Sequence, residues 1–205
     1  MELRYRIIDE ARHLFLRHGI KSMTMDDIAN HLGISKRTLY EQFKNKEDLL
    51  AACMEMHSMH AEDELQRIIS SSENIITIMM KMYAKLLSDS NQVCKAFVYD
   101  LKKHYHHIYL AAEQQHYNRV DIFIPLVQRG IDEGFIRDDI NMEVCLWLVK
   151  CQFRSLMIDD FLPTDRFAHN EFARMSILNF LRGMATPQGY QLIDETMEQL
   201  KEKAM

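Results

Sequence analysis

Apolar residues recur every three or four positions along the first part of the chain, with polar residues between them. This spacing places one apolar stripe along one side of a helix. Residue types that end or cap helices interrupt the pattern at regular points. These residues are Gly19, Thr24, Ser35 and Asn45. The pattern therefore predicts four helices before the serine run at 70–72, of which the second and third are short and joined by a tight turn at Gly33.

The rest of the chain also has a helical pattern, and no alternation of strand period is long enough to predict a sheet. Further helices are predicted at about 74–87, 92–103, 107–130, 141–160, 166–183 and 188–203. Pro125 lies inside the third of these and is expected to kink or split it. The chain of 205 residues has only 6 Gly and 3 Pro, which suits an all-α fold of one or two domains.

Composition limits the class of protein. Hydrophobic residues make up 47% of the chain and charged residues 27%, so a core can form. No apolar run approaches the roughly 18 residues of a membrane span. We therefore expect a soluble, cytoplasmic protein that does not enter a membrane. Its four cysteines show no CxxC spacing and are expected to be reduced thiols.

The net charge of −5 hides a local basic segment. Within residues 35–46, Lys36, Arg37, Lys44 and Lys46 stand against Glu41 alone. Lys46 is unusual because it falls in the first turn of the fourth helix, where the helix dipole disfavours a cation. A bound phosphate would explain it, since helix N-termini bind anions; a solvated surface lysine is the alternative.

Residues 24–43 read TMDDIANHLGISKRTLYEQF and form a helix, a turn and a second helix. Gly33 permits the left-handed backbone of the turn, and a small Ala29 allows the two helices to approach. Aliphatic residues would fill the wedge between them, and the first and fourth helices would complete the core. This is the pattern of a helix-turn-helix, whose second helix fits the DNA major groove. Arg37 can read guanine, and Thr38 can contact a base edge.

Residues 4–50 resemble the N-terminal DNA-binding domain of the TetR (tetracycline-repressor-like) family of bacterial transcription regulators. The matching residues are Ala11, Phe15, Gly19, Thr24, Asp27 to Ala29, Gly33 to Tyr40, Phe43 and Lys46 to Leu50. The resemblance implies a DNA-binding domain over 1–48 and a helical ligand-sensing and dimerisation domain over 49–205. It also implies that Thr24, Tyr40 and Lys46 contact phosphates, while Ser35, Lys36, Arg37 and Thr38 enter the groove. Arg37 stands where the family often has glycine, so it adds a long cation at the groove.

Residues 142–162 are apolar on nearly every side of their helix. Residues 166–183 also have an apolar stripe, but it covers a narrower part of the helix surface. A helix of this kind must be covered on two sides. We therefore expect these two helices to pair with their symmetry mates in a homodimer, with burial inside one chain as the alternative. The candidate interface residues are Trp147, Phe172, Met175, Leu178 and Leu181.

A regulator also needs an input, and the middle helices supply Met and aromatic side chains suited to an adaptable apolar pocket. The candidate ligand-binding residues are Met82, Tyr83, His116 and Trp147. Ordinary core packing is the alternative for each of these residues.

No metal, other cofactor or catalytic activity is predicted. His57 and His60 share a helix face, but no cysteine or carboxylate completes a set of ligands at a recognisable spacing. Common nucleotide-binding, hydrolase and metalloprotease motifs are absent from the sequence. The predicted function is a DNA-binding transcriptional regulator, a repressor released from a pseudo-palindromic operator by an effector. The alternative is an effector-free protein–protein adaptor with a vestigial helix-turn-helix.

Overall fold

The computed structural model describes residues 2–71, 73–91, 93–157 and 169–202, and eleven helices account for most of them. They are α1 (Leu3–His18), α2 (Met25–Leu32), α3 (Lys36–Gln42), α4 (Lys46–Ile69), α5 (Ile75–Asn91), α6 (Lys95–His104), α7 (His106–Val120), α8 (Phe123–Asp132), α9 (Met142–Met157), α10 (His169–Met184) and α11 (Pro187–Glu202). Over these residues the structure contains no strand beyond the single bridge between Ile136 and Ala185. The predicted all-α fold is confirmed.

None of the helices in the described ranges is both long enough and apolar enough to cross a membrane.

The contacts of the chain fall into two compact units. The first comprises Met1–Leu65 and Asn91–His116, and the second comprises Gln66–Ser90 and Tyr117–Met205. The predicted boundary between residues 48 and 49 lies inside α4, so it does not coincide with the ends of either unit. As a division between DNA binding and sensing, that boundary stays a prediction.

The helix ends in the first unit are set by the residues that the sequence predicts. Thr24 and Asp27 form a capping box, in which each side chain accepts a hydrogen bond from the other residue's backbone N–H. Gly33 ends α2 in the left-handed conformation (φ 66°), which a side chain would strain. The Ser35 hydroxyl accepts from the Thr38 N–H at 3.0 Å, and the Asn45 side chain accepts from the Asp48 N–H at 2.9 Å.

One hydrophobic cluster holds the first unit together. Its buried members from α1 to α4 include Ile7, Phe15, Ile28, Leu39, Phe43, Leu49 and Leu50. The predicted completion of the helix-turn-helix core by α1 and α4 is therefore confirmed. Phe97 and Leu101 of α6 and Ile108 of α7 join the same cluster, which the sequence analysis did not anticipate.

A second cluster forms within the second unit from α5 and α8 to α11. It includes Ile75, Met79, Val127, Cys145, Leu181 and Ile193. The predicted break near Pro125 is confirmed, because α7 ends at Val120 and α8 begins at Phe123 with the proline in its first turn. Parts of the predicted helices 141–160 and 166–183 lie outside the described residues.

Candidate nucleic-acid interface

The third helix presents its cations outward while a buried leucine anchors it. Arg37 keeps 88% and Lys36 keeps 59% of the side-chain surface exposed, whereas Leu39 is fully buried. Tyr40 is 44% exposed on the same helix. The cationic side of α3 is therefore accessible to a large partner.

Each of the two cations on α3 has a carboxylate partner. Lys36 Nζ lies 2.7 Å from an Asp26 oxygen at the start of α2, and this contact raises the pKa of Lys36. Arg37 Nε donates to Glu41 Oε1 at 3.0 Å, one helical turn further on. Both pairs are exposed, so they add little to stability but orient the side chains.

Two of the hydroxyls predicted to contact DNA, those of Thr24 and Ser35, already serve as helix caps. The Thr24 hydroxyl donates to Asp27 Oδ2 at 2.6 Å, and the hydroxyls of Ser35 and Thr38 lie 2.8 Å apart. The Asp27 pKa is lowered by its hydrogen bonds to the Thr24 side chain and backbone. Thr24 and Ser35 remain exposed, and they mark the N-terminal ends of α2 and α3.

Lys46 has partners within its own chain. Its ammonium donates to the carbonyl oxygens of Ile20 at 2.9 Å and Met23 at 3.0 Å, in the loop between α1 and α2. Partial burial lowers its pKa, while the charge of Asp100 opposes that shift. These bonds give an intramolecular reason for a cation at the start of α4, besides the predicted phosphate.

Asp100 of α6, which no sequence pattern singled out, holds the same loop. Its carboxylate is buried and accepts the backbone N–H of Lys21 at 2.7 Å. The available signal was a charged residue in the register of an apolar stripe, since Phe97 and Leu101 share its helix face and are buried.

Two arginines of α1, which no motif singles out, hold the other ends of the helix-turn-helix. Arg4 Nη1 donates to the Gln42 carbonyl at 2.6 Å, and its guanidinium lies 4.2 Å from the Phe43 ring centroid. Arg6 Nη2 donates to the Leu32 carbonyl at 3.2 Å. Each bond satisfies a carbonyl in the last turn of α2 or α3, where helices lack internal donors.

The candidate ligand-binding residues differ in their surroundings. The Tyr83 hydroxyl is buried and has no hydrogen-bond partner among the described residues, and burial raises its pKa. Met82 packs against the second cluster, whereas Trp147 is 59% exposed. The side chain of His116 lies outside the described part of the structure. The described residues contain no cluster of three or more metal-ligating side chains.

The candidate dimer residues differ in their exposure to solvent. Trp147 and Met175 are exposed, at 59% and 42%, and Phe172 is half-buried. Leu178 and Leu181 are buried in the second cluster of this single chain, as the alternative of burial within one chain requires. A surface that pairs with a second copy would therefore use the exposed residues.

The chain is similar to bacterial transcription regulators in sequence and in fold. The model for bacterial regulatory proteins of the tetR family matches residues 7–53. The regulator TtgR of Pseudomonas putida is 32% identical over 75 residues, which cover 36% of this chain and 35% of that protein. The fatty acid metabolism regulator protein of Bacillus subtilis is 23% identical over 153 residues, 70% of this chain and 76% of that protein. The chain spans 33–57% of the length of the first four curated relatives that it matches.

A solved structure shares the fold over almost the whole chain. The TetR-family regulator from Marinobacter aquaeolei superposes with a TM-score of 0.75 at 18% identity, covering 97% of this chain and 98% of that one. The family match falls on the helices that carry the exposed cations, α1 to the start of α4. Residues 7–53 are therefore similar to the DNA-binding domain of the tetR family of bacterial regulatory proteins, and the chain shares the fold of a TetR-family regulator.

Proposed function

We propose that this protein is a DNA-binding transcriptional repressor that a small-molecule effector releases from a pseudo-palindromic operator. The observation that carries the proposal is the orientation of α3, whose Arg37 is 88% exposed while Leu39 is fully buried. A helix held in this way can enter a major groove without unfolding its own core. Because the operator would lie on the bacterial chromosome, the protein would act in the cytoplasm.

Some of these side chains would contact bases and others would contact phosphates. Arg37 and Thr38 would meet base edges, and Lys36 and Ser35 would enter the groove beside them. Tyr40 would donate its hydroxyl proton to a phosphate, and Thr24 would do so by turning its hydroxyl proton away from Asp27.

Lys46 would add a third phosphate contact. An ammonium has three N–H donors, and two of them already bond the carbonyls of Ile20 and Met23. The third donor remains for a phosphate at the start of α4.

A homodimer would carry two such helices to the two halves of the operator. The face of α9 supports this, because Val144, Trp147 and Leu148 lie at spacings of three and four residues and are 53%, 59% and 47% exposed. Met175 of α10 adds a further exposed apolar side chain. Apolar side chains gathered on one face are typical of a surface that a partner covers.

The effector would bind in the second unit. The buried hydroxyl of Tyr83 supports this, because it has no hydrogen-bond partner among the residues that the structure describes. Leaving a buried donor unsatisfied is costly, and an acceptor on a ligand would relieve that cost. Flexible side chains such as Met82 would adapt to an apolar ligand body.

Titrating the purified protein onto DNA at several salt concentrations tests the proposal. The operator would be found by footprinting DNA that flanks the coding region of this chain, and a scrambled duplex of equal length would serve as the reference. Wild type should bind the operator more tightly than the scrambled duplex, and its affinity should fall linearly on a log–log plot against salt. Arg37→Ala should weaken operator binding by about 1–3 kcal/mol and relax base preference.

The same titration separates the repressor from the protein–protein adaptor with a vestigial helix-turn-helix. An adaptor would bind neither duplex at any salt concentration. Equal losses on operator and scrambled DNA for Arg37→Ala would reject the assignment of Arg37 to a base.

A further inference from the structure

We infer that Glu41 determines DNA-binding specificity by holding Arg37 in position for a base and by opposing its use on phosphates. The inference rests on the proposed function and deepens it, because it assigns a role to an acidic residue on a surface that must approach a polyanion. Glu41 is a positioning residue in this scheme, since it acts through Arg37.

The geometry places both residues on one face. Arg37 and Glu41 are four residues apart on α3, so their side chains are neighbours on the helix surface. Their side chains are 88% and 56% exposed, and Arg37 Nε donates to Glu41 Oε1 at 3.0 Å. A surface that meets Arg37 therefore also meets the Glu41 carboxylate.

The bond to Glu41 leaves the two terminal nitrogens of Arg37 available to bind a base. It engages Nε, whereas the Nη1 and Nη2 edge keeps the parallel donors that fit guanine O6 and N7. A flexible arginine with its side chain largely exposed would otherwise sample many rotamers. The Glu41 bond restricts those rotamers, so less freedom is lost when Arg37 binds a base.

The Glu41 carboxylate also disfavours non-specific complexes with DNA. In a non-specific complex arginine binds phosphate, and that contact would bring the Glu41 charge close to the phosphate backbone. Like charges brought together in this way penalise the wrong partner. In the specific complex Glu41 faces the groove, where cytosine N4 offers it a donor.

A second pair repeats the arrangement beside the first. Lys36 of α3 lies 2.7 Å from Asp26 of α2, and Asp26 is 56% exposed. The two cations and two carboxylates of these pairs sum to zero charge, so the four residues together attract a generic polyanion only weakly. The face is therefore suited to discrimination more than to strong non-specific binding.

The experiment compares wild type with Glu41→Gln on the operator and on the scrambled duplex, across salt concentrations. Glu41→Gln should tighten binding to the scrambled duplex on the order of threefold to fivefold, the size of one exposed charge interaction. Its salt slope on that duplex should steepen by about one unit. The ratio of operator to scrambled affinity should fall.

Glu195→Gln is the matched control. Glu195 is an exposed carboxylate on α11 that accepts from Gln191 four residues earlier at 2.9 Å, so the substitution removes the same charge from a similar i, i+4 pair. It should leave the affinity ratio unchanged. A fall as large as that of Glu41→Gln would show that net charge alone is responsible and would overturn the inference.

A double-mutant cycle tests whether Glu41 acts through Arg37. In the Arg37→Ala background, Glu41→Gln should change the affinity ratio much less than it does in wild type. An unchanged or higher ratio in the single Glu41→Gln variant, with its helix content intact, would overturn the inference and leave the proposed function standing. Wild-type protein that binds neither duplex at any salt concentration would overturn both.

Discussion

At the residue scale, the loop between α1 and α2 is held by two side chains of opposite charge. Asp100 accepts the Lys21 backbone N–H at 2.7 Å, and Lys46 donates to the Ile20 and Met23 carbonyls. The loop leads into Thr24, the N-cap of α2. These bonds therefore set the position from which the helix-turn-helix begins.

Replacing Lys46 with methionine should reveal both of its roles. The variant keeps an unbranched apolar side chain but leaves two loop carbonyls without their donor, so the free energy of unfolding should fall by about 1–3 kcal/mol. Loss of the phosphate contact should lower the salt slope of DNA binding by about one unit on every sequence. Urea unfolding and salt-dependent DNA titration measure the two effects.

Lys44→Met removes an exposed charge from the same segment and should leave the stability unchanged. If Lys46→Met unfolds at the wild-type urea concentration, the loop bonds do not contribute to stability. A wild-type salt slope would argue against the phosphate contact.

Burial raises the pKa of the Cys53 thiol to about 12 from an ordinary value of 9.0. The folded protein therefore keeps a proton that the unfolded chain releases above pH 9. The contribution of Cys53 to stability should be complete below pH 9 and should decline as the pH rises toward 12, by at most about 1.4 kcal/mol per pH unit. Urea unfolding at pH 8 to 10.5, compared with Cys53→Ala, isolates this dependence.

An identical pH dependence in Cys53→Ala would show that other groups cause it. Thiol labelling gives a second check, because all four cysteines are free but Cys151 is exposed while Cys53 is buried. Cys151 should react first in the folded protein.

At the element scale, the start of α11 is fixed against the segment that follows α8. The Thr186 N–H donates to the Phe135 carbonyl at 3.0 Å, and the Arg137 N–H donates to the Met184 carbonyl at 2.9 Å. Gly189, in the first turn of α11, passes so close that an added Cβ would overlap the Phe135 oxygen and lie 2.9 Å from its carbonyl carbon. Glycine is required here by the approach of two backbones.

Gly189→Ala should lower the free energy of unfolding by about 3 kcal/mol, because a hydrogen-bonded backbone must move to admit the methyl group. Thermal and urea unfolding measure the loss. Gly183→Ala is the control, since a Cβ on this exposed residue of α10 meets nothing within 4 Å. It should stabilise the protein by about 0.5–1 kcal/mol through helix propensity. Equal effects of the two substitutions would contradict this account.

At the scale of the whole molecule, the exposed apolar face of α9 bears on assembly. Trp147 is its largest side chain and is 59% exposed, with the Lys150 ammonium 5.9 Å from its ring centroid. Such a face costs free energy in water unless a second copy covers it.

Trp147→Glu should convert the proposed homodimer to a monomer and weaken operator binding, because one monomer contacts only one half-site. Light scattering coupled to size exclusion measures the mass. Leu110→Glu on α7 places the same charge at another exposed apolar residue, 47% accessible, and should leave the mass unchanged. A monomeric wild type at tens of micromolar would refute the dimer.

The sequence by itself determined the helix ends of the first unit and the class of fold. Thr24, Ser35 and Asn45 cap helices, and Gly33 turns the chain, through bonds to residues no more than four positions away. Interactions of that range depend on local backbone geometry, which local sequence encodes. The exposed side of α3 could be predicted for the same reason. Arg37 and Leu39 are two residues apart, so they point to nearly opposite sides of the helix, and the buried leucine leaves the arginine exposed.

The tertiary structure decided which distant residues hold the site. Asp100 and Lys46 reach a loop that lies 79 and 26 residues away in sequence. Leu178 and Leu181 became core residues of one chain, although their pattern suited an interface equally well. An apolar stripe identifies the side of a helix that avoids water, but only the packing of the other helices decides what covers that side.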